Sequence, residues 1–172
     1  MSDPTIYENL KVAFENHLYD LDNLEGRIRI QKRSDLMDFA DLSRRLTLRF
    51  VRTDVPEVPA EVMLTASAKD LSDEILEVPG TEPGVTLGVR FDVKVIDAAR
   101  QCEEIGRLLA ELWEHDIRIS QTLSFEYPHG GKGWTNRVEA EFRTRLDESH
   151  MTEIGGFLES VVDAMGRLSE IR

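Results

Sequence analysis

The stretch that decides the fold is Thr86-Leu-Gly-Val-Arg-Phe-Asp-Val-Lys-Val95, followed at once by Asp97-Ala-Ala-Arg-Gln-Cys-Glu-Glu-Ile-Gly-Arg-Leu-Leu-Ala-Glu-Leu112. Leu87, Val89, Phe91, Val93 and Val95 alternate with Thr86, Gly88, Arg90, Asp92 and Lys94, the two-residue period of a strand with one buried face. The period then changes. Ala98, Cys102, Ile105, Leu109 and Leu112 recur at three and four, which predicts one apolar stripe on a helix over 97–116 with Asp97 as its N-cap. On that stripe Cys102 reads as a small core residue.

Working towards the C-terminus, Ile117, Ile119, Leu123, Phe125 and Tyr127 return to a period of two, with Gln121 as the exception. Pro128-His-Gly-Gly-Lys-Gly133 reads as a turn, after which Val138, Ala140, Phe142, Thr144 and Leu146 predict a returning strand with a charged outer face. Ser149 is the expected cap of a helix over 150–171, in which Met151, Ile154, Leu158, Val161, Met165 and Leu168 form the stripe. The second half therefore reads β-α-β-β-α.

Working towards the N-terminus, Asp3-Pro4 predicts a helix start, and Tyr7, Leu10, Phe14, His17, Leu21 and Leu24 predict a stripe over 5–24 that ends at Gly26. His17 is read as a packed histidine. Residues 27–31 predict a short edge strand, and 34–43 a short helix behind Ser34 with Leu36, Phe39 and Leu42 turned inward. Leu46, Leu48 and Phe50 predict a second strand, and Pro56 and Pro59 interrupt the pattern after it. Residues 61–68 predict a returning strand, running on into a helical segment over 69–76.

These elements predict an α+β fold, a twisted and mainly antiparallel sheet packed against three main helices. The 172 residues fit a single domain, 1–172, with a subdivision into 1–80 and 85–172 left open at the Pro79–Gly84 punctuation. One cysteine permits no intramolecular disulfide and points to a reducing compartment. No apolar run reaches the ~20 residues of a membrane span, and MSDPTIYENL carries no basic stretch followed by an apolar one. A cytoplasmic location without membrane attachment is the resulting expectation.

The net charge of −12 is unevenly spread. Residues 27–52 hold eight basic side chains, among them Arg27, Arg29, Arg45 and Arg49, against Asp35, Asp38 and Asp41, a balance of +5 that leaves −17 for the remainder. Such a basic segment is a candidate contact for an acidic surface, or for the acidic part of a second copy. Nucleic acid is set aside as a partner, because the chain as a whole repels phosphate and aromatic interleaving is sparse.

Chemical motifs are few. Tyr127-Pro-His-Gly-Gly-Lys-Gly-Trp134 has glycines and a lysine, yet Lys132 is followed by Gly133 and the loop leads into a strand, unlike a phosphate loop. His129, Lys132 and Trp134 are instead candidate partner contacts on a loop. Four scattered histidines and one cysteine offer no metal-ligand spacing, so no metal and no cofactor is expected. No catalytic residue can be selected, since no GxSxG occurs and nothing singles out a carboxylate pair.

Val89-Arg-Phe-Asp-Val93, the helix through Leu112, the pair Ser124–Tyr127 and Glu141–Leu146, and the terminal helix from Met151 resemble the type III secretion chaperone-like superfamily, including its YbjN-type members, in element order and hydrophobic pattern. The resemblance covers 85–172 and implies a non-enzymatic, chaperone-like or regulatory protein that forms homodimers and holds partner segments. Two other classes are compatible with the residues: a small-molecule-binding protein or enzyme with a pocket between sheet and helices, and an acidic inhibitor or immunity-type protein for a basic partner.

Overall fold

A computed structural model describes residues 5–128, 131 and 133–172. Its order is α1 (Ile6–Tyr19), β1 (Ile28–Asp38), β2 (Ser43–Arg52), β3 (Ala60–Ala66), α2 (Ala68–Ile75), β4 (Thr86–Val95), α3 (Ala98–Leu112), β5 (Ile117–Ser124), β6 (Trp134–Phe142) and α4 (Ile154–Glu170). All neighbours are antiparallel in one six-stranded sheet, β1-β2-β3-β4-β6-β5. The sheet crosses the Pro79–Gly84 connection without a break, since β3 pairs with β4. β6 lies between β4 and β5, so β4-α3-β5 is a crossover with a strand inserted, the split arrangement common in α+β folds.

The two-residue period of the strands turns Leu46, Leu48, Phe50, Val62, Leu64, Val89, Phe91, Val138 and Ala140 onto one face, where they are buried under the helices. Helix α1 contributes Tyr7, Leu10, Phe14 and Leu18, and α4 contributes a wide stripe from Ile154 to Leu168. The opposite face carries the alternate residues and meets water, as an antiparallel sheet allows. Between helices and sheet, Phe91, Trp113, Phe142, Phe157 and Phe14 form a run of ring contacts with centroids 5.2–6.4 Å apart.

Several expectations are corrected. Residues 34–43 are not helical: β1 runs on to Asp38 and pairs with β2 through Asp38↔Ser43. Leu36, Phe39 and Leu42 do not turn inward but are 61%, 83% and 53% exposed. Spacings of three suit either a helix or a hairpin end, and here the local turn chemistry favours the hairpin. Asp38 Oδ1 accepts from the Ala40 amide at 2.8 Å, and Asp41 Oδ1 accepts from the Ser43 amide at 2.9 Å.

The helix boundaries also move. Asp3 and Pro4 lie outside the described residues, and Thr5 Oγ1 caps α1 by accepting from the Glu8 amide. A wider turn at Asp20–Leu24 shifts the stripe, so Leu18 and Leu21 are buried while Leu24 is exposed. At the other end Asp147, not Ser149, caps a single 3₁₀ stretch, Glu148–Glu153, before α4 starts. β6 begins at Trp134 and ends at Phe142, four residues earlier than the pattern suggested. It starts that early because Gly133, at φ +92, lets the backbone approach β4 where a Cβ would stand 2.3 Å from the Val95 carbonyl oxygen.

Candidate functional site

The loop proposed from sequence divides. His129 and Lys132 lie outside the described residues. Trp134 opens β6 opposite Val95 and is half-buried against the core, so it serves packing at least as much as contact. Tyr127, in contrast, is 93% exposed, with Leu123 and Phe125 also open to water nearby.

The basic segment is largely neutralised from within. Of its eight basic residues five are ion-paired: Arg27 with Glu159, Arg33 with Glu15, Arg44 with Glu8 and Asp35, Arg49 with Glu61 and Asp92, and Arg52 with Asp54. Arg27 stands apart from the other candidates. Its guanidinium grips Glu159 of α4 at 2.7 and 2.8 Å on the helix side. Arg29, Arg45 and Arg49 share the open sheet face through the register Arg29↔Val51, Lys32↔Arg49 and Leu36↔Arg45. Arg29, Lys32 and Arg45 are without an ion-pair partner among the described residues.

That open face is a ladder of alternating charge. Arg90 reaches Glu61 at 3.3 Å and Glu139 at 2.9 Å, Arg49 bridges Glu61 and Asp92, and Arg137 meets Asp92 at 3.3 Å. Cross-strand pairs of this kind stabilise the sheet by a few tenths of a kcal/mol to about 1 kcal/mol each. Arg49, Arg90 and Arg137 are matched by carboxylates and add little net positive potential to the face, which leaves the unpaired charge at Arg29, Lys32 and Arg45.

Each outer hairpin is tied to a helix by polar side chains. On the β1 side, Asp35 accepts from the Tyr7 hydroxyl at 2.9 Å and pairs with Lys11 at 2.6 Å, while Arg44 lies between Asp35 and Glu8 with its guanidinium 4.5 Å from the Tyr7 ring centre. Burial alone would raise the Asp35 carboxyl. The hydrogen bonds from Lys11 and Tyr7, together with the positive charges of Lys11 and Arg44, hold it below its ordinary value. Burial and the bond to Asp35 push the Tyr7 hydroxyl upward.

On the β5 side the anchor is neutral. Asn136, fully buried, donates from Nδ2 to Gln121 Oε1 at 2.8 Å and lies 3.5 Å from Cys102 Sγ, and Gln121 Nε2 donates to the Cys102 carbonyl at 2.9 Å. Cys102 is only half-buried, at the border of the stripe rather than in its centre. Burial pushes its thiol upward, which lowers its nucleophilicity near neutral pH. His17 is not packed into the stripe as its spacing suggested but is exposed beside Leu18, with its ring over Gly155 of α4, where an added Cβ would stand 3.1 Å away.

Among the described residues no group of three histidine, cysteine or carboxylate side chains could hold a metal ion. Among the same residues no helix is long and apolar enough to cross a membrane. The feature that sequence reasoning missed is the β1–β2 tip, where Leu36, Met37, Phe39 and Leu42 are exposed within seven residues. The signal available for it was the pair Asp38 and Asp41, both turn formers, inside a segment with no good helical stop. Comparison with protein-family models, with curated proteins and with solved structures finds no match.

Proposed function

We propose that this chain is a non-enzymatic protein-binding protein, chaperone-like or regulatory, that self-associates as a homodimer through β1 and the β1–β2 tip. The observation that carries the reading is the tip itself: four large apolar side chains exposed at the corner of an edge strand eleven residues long. An edge strand offers unpaired backbone donors and acceptors, and an adjoining apolar patch supplies the burial that backbone pairing alone lacks.

The strand is suited to pairing with its own copy. A two-fold axis through residue 35 sets Lys32 opposite Asp38 on the open face, twice over, by the symmetry of an isologous contact. On the helix-covered face Asp35 would face its own copy, and each carboxylate is already neutralised by Lys11 and Arg44. Arg33 would lie opposite Met37, its aliphatic stem covering the thioether.

Sedimentation velocity over a wide concentration range tests the reading. The expected result is a concentration-dependent dimer that Leu36→Lys or Phe39→Ser converts to monomer while the circular dichroism spectrum stays unchanged. A wild-type chain that remains monomeric at high concentration, or a dimer indifferent to both substitutions, overturns it.

A further inference from the structure

At the end of the sheet where β6 finishes and β5 begins, an open recess of about 330 Å³ lies between the strands and the start of α4. Its apolar wall includes Phe14, Phe142 and Phe157, with Phe142 and Phe157 edge-to-face at 5.2 Å. Its ionisable lining consists of Asp116, His150 and Glu153, and no lysine or arginine lines it. The His150 ring is fixed, Nδ1 accepting from the Asp147 amide at 3.0 Å.

Asp116 and Glu153 have no side-chain hydrogen bond or ion pair among the described residues. Other carboxylates set against the sheet, Asp35, Glu61, Asp70 and Asp92, each meet an arginine or lysine. An aromatic hollow lined by the half-buried Asp116 and the exposed Glu153, with no basic side chain among its lining, is complementary to a cation carried on an apolar body. Such a ligand would bury its body against the rings and turn its charged head towards Asp116 or Glu153, with the aromatic faces adding cation–π attraction. Anions are repelled at the same mouth and by the chain's net charge of −12. The volume is at the small end of ligand sites and fits a single ring, not a nucleotide.

We propose that this recess is a binding site for compact aromatic or branched aliphatic amines, independent of the β1 edge. Two-dimensional amide NMR titration with phenethylamine tests it, with phenylethanol and phenylacetate as neutral and anionic probes of the same shape. Phenethylamine is expected to shift, saturably, the amides around Asp116, Phe142–Thr144 and His150–Phe157. Phenylethanol should bind about tenfold more weakly, the scale of two partly exposed ion pairs, and phenylacetate not at all.

Asp116→Asn combined with Glu153→Gln should reduce amine affinity about tenfold and leave phenylethanol unchanged, the spectrum itself reporting that the fold is intact. Thr144→Trp, at the exposed rim, should block both ligands. Equal binding of amine and carboxylate, shifts confined to another region, or full affinity in the charge-removed variant would each overturn the assignment.

Discussion

The two outer hairpins of the sheet occupy opposite edges and point to opposite ends, and they are fastened by different chemistry. The β1–β2 hairpin is held to α1 by a half-buried charge cluster of Tyr7, Glu8, Lys11, Asp35 and Arg44. The β5–β6 hairpin is held to α3 by neutral groups, the fully buried Asn136 and the half-buried Gln121 and Cys102. The difference lies in what each anchor must resist. A hairpin whose tip exposes Leu36, Met37, Phe39 and Leu42 gains rigidity from ion pairs that tolerate water. The inner strand β6, covered by α3, excludes water and therefore requires groups whose desolvation is cheaper than that of a charge.

Removing the charged anchor is the largest test of that contrast. Asp35→Ala leaves Lys11, Arg44 and the Tyr7 hydroxyl facing one another without their common acceptor, an expected loss of about 2–3 kcal/mol by urea unfolding near neutral pH. The pH response follows from the lowered Asp35 carboxyl. Its contribution is complete above the unfolded carboxyl value of about 4 and is lost as pH falls through the lower folded value. Asp35→Asn should therefore be less stable near neutrality yet show a flatter acid limb. A mutant curve parallel to wild type below that pH would remove Asp35 from the account.

The neutral anchor should respond less and without pH dependence. Asn136→Ala deletes the donor to Gln121 Oε1 and opens a small void, an expected cost of about 1–2 kcal/mol that is flat across the acid range. Asn136 Oδ1 has no partner among the described residues, so the anchor already carries an unsatisfied buried oxygen. Replacing both amides in Gln121→Leu/Asn136→Leu should consequently recover most of the loss, because it removes donors and acceptors together. A double variant less stable than Asn136→Ala would show that the Gln121 bond to the Cys102 carbonyl matters more than the pair.

The same contrast explains what could be read without coordinates. Where one face of an element is buried by its own alternation or stripe, as in 86–95, 98–112 and 154–168, apolar period alone located it. The α+β class and the antiparallel sheet followed. Residues 34–43 failed because their apolar side chains are not buried at all: Leu36, Phe39 and Leu42 at intervals of three imitate a helix stripe. The site was less legible still. Arg27 and Arg49 look like free charge in a linear chain, but Glu159, Glu61 and Asp92 that neutralise them come from distant elements. Recesses such as that beside Asp116 likewise join residues from four separate segments, with no local spacing to mark them.

The smallest expected effects compare the two tips directly. Phe39 and Tyr127 are 83% and 93% exposed, so Phe39→Ser and Tyr127→Ser should each leave unfolding free energy within about 0.5 kcal/mol of wild type. Their consequences for association should nevertheless diverge. Phe39 adjoins an edge strand whose Lys32 and Asp38 can pair across a two-fold axis, whereas β5 offers Arg118, Ser120 and Thr122 on its open face with no opposite charge on the same strand and face. Tyr127→Ser should thus leave the sedimentation profile unchanged and Phe39→Ser should shift it to monomer. A reversal, with Tyr127→Ser dissociating the dimer, would move the interface to the β5 corner and return the 128–134 loop to the centre of the protein's function.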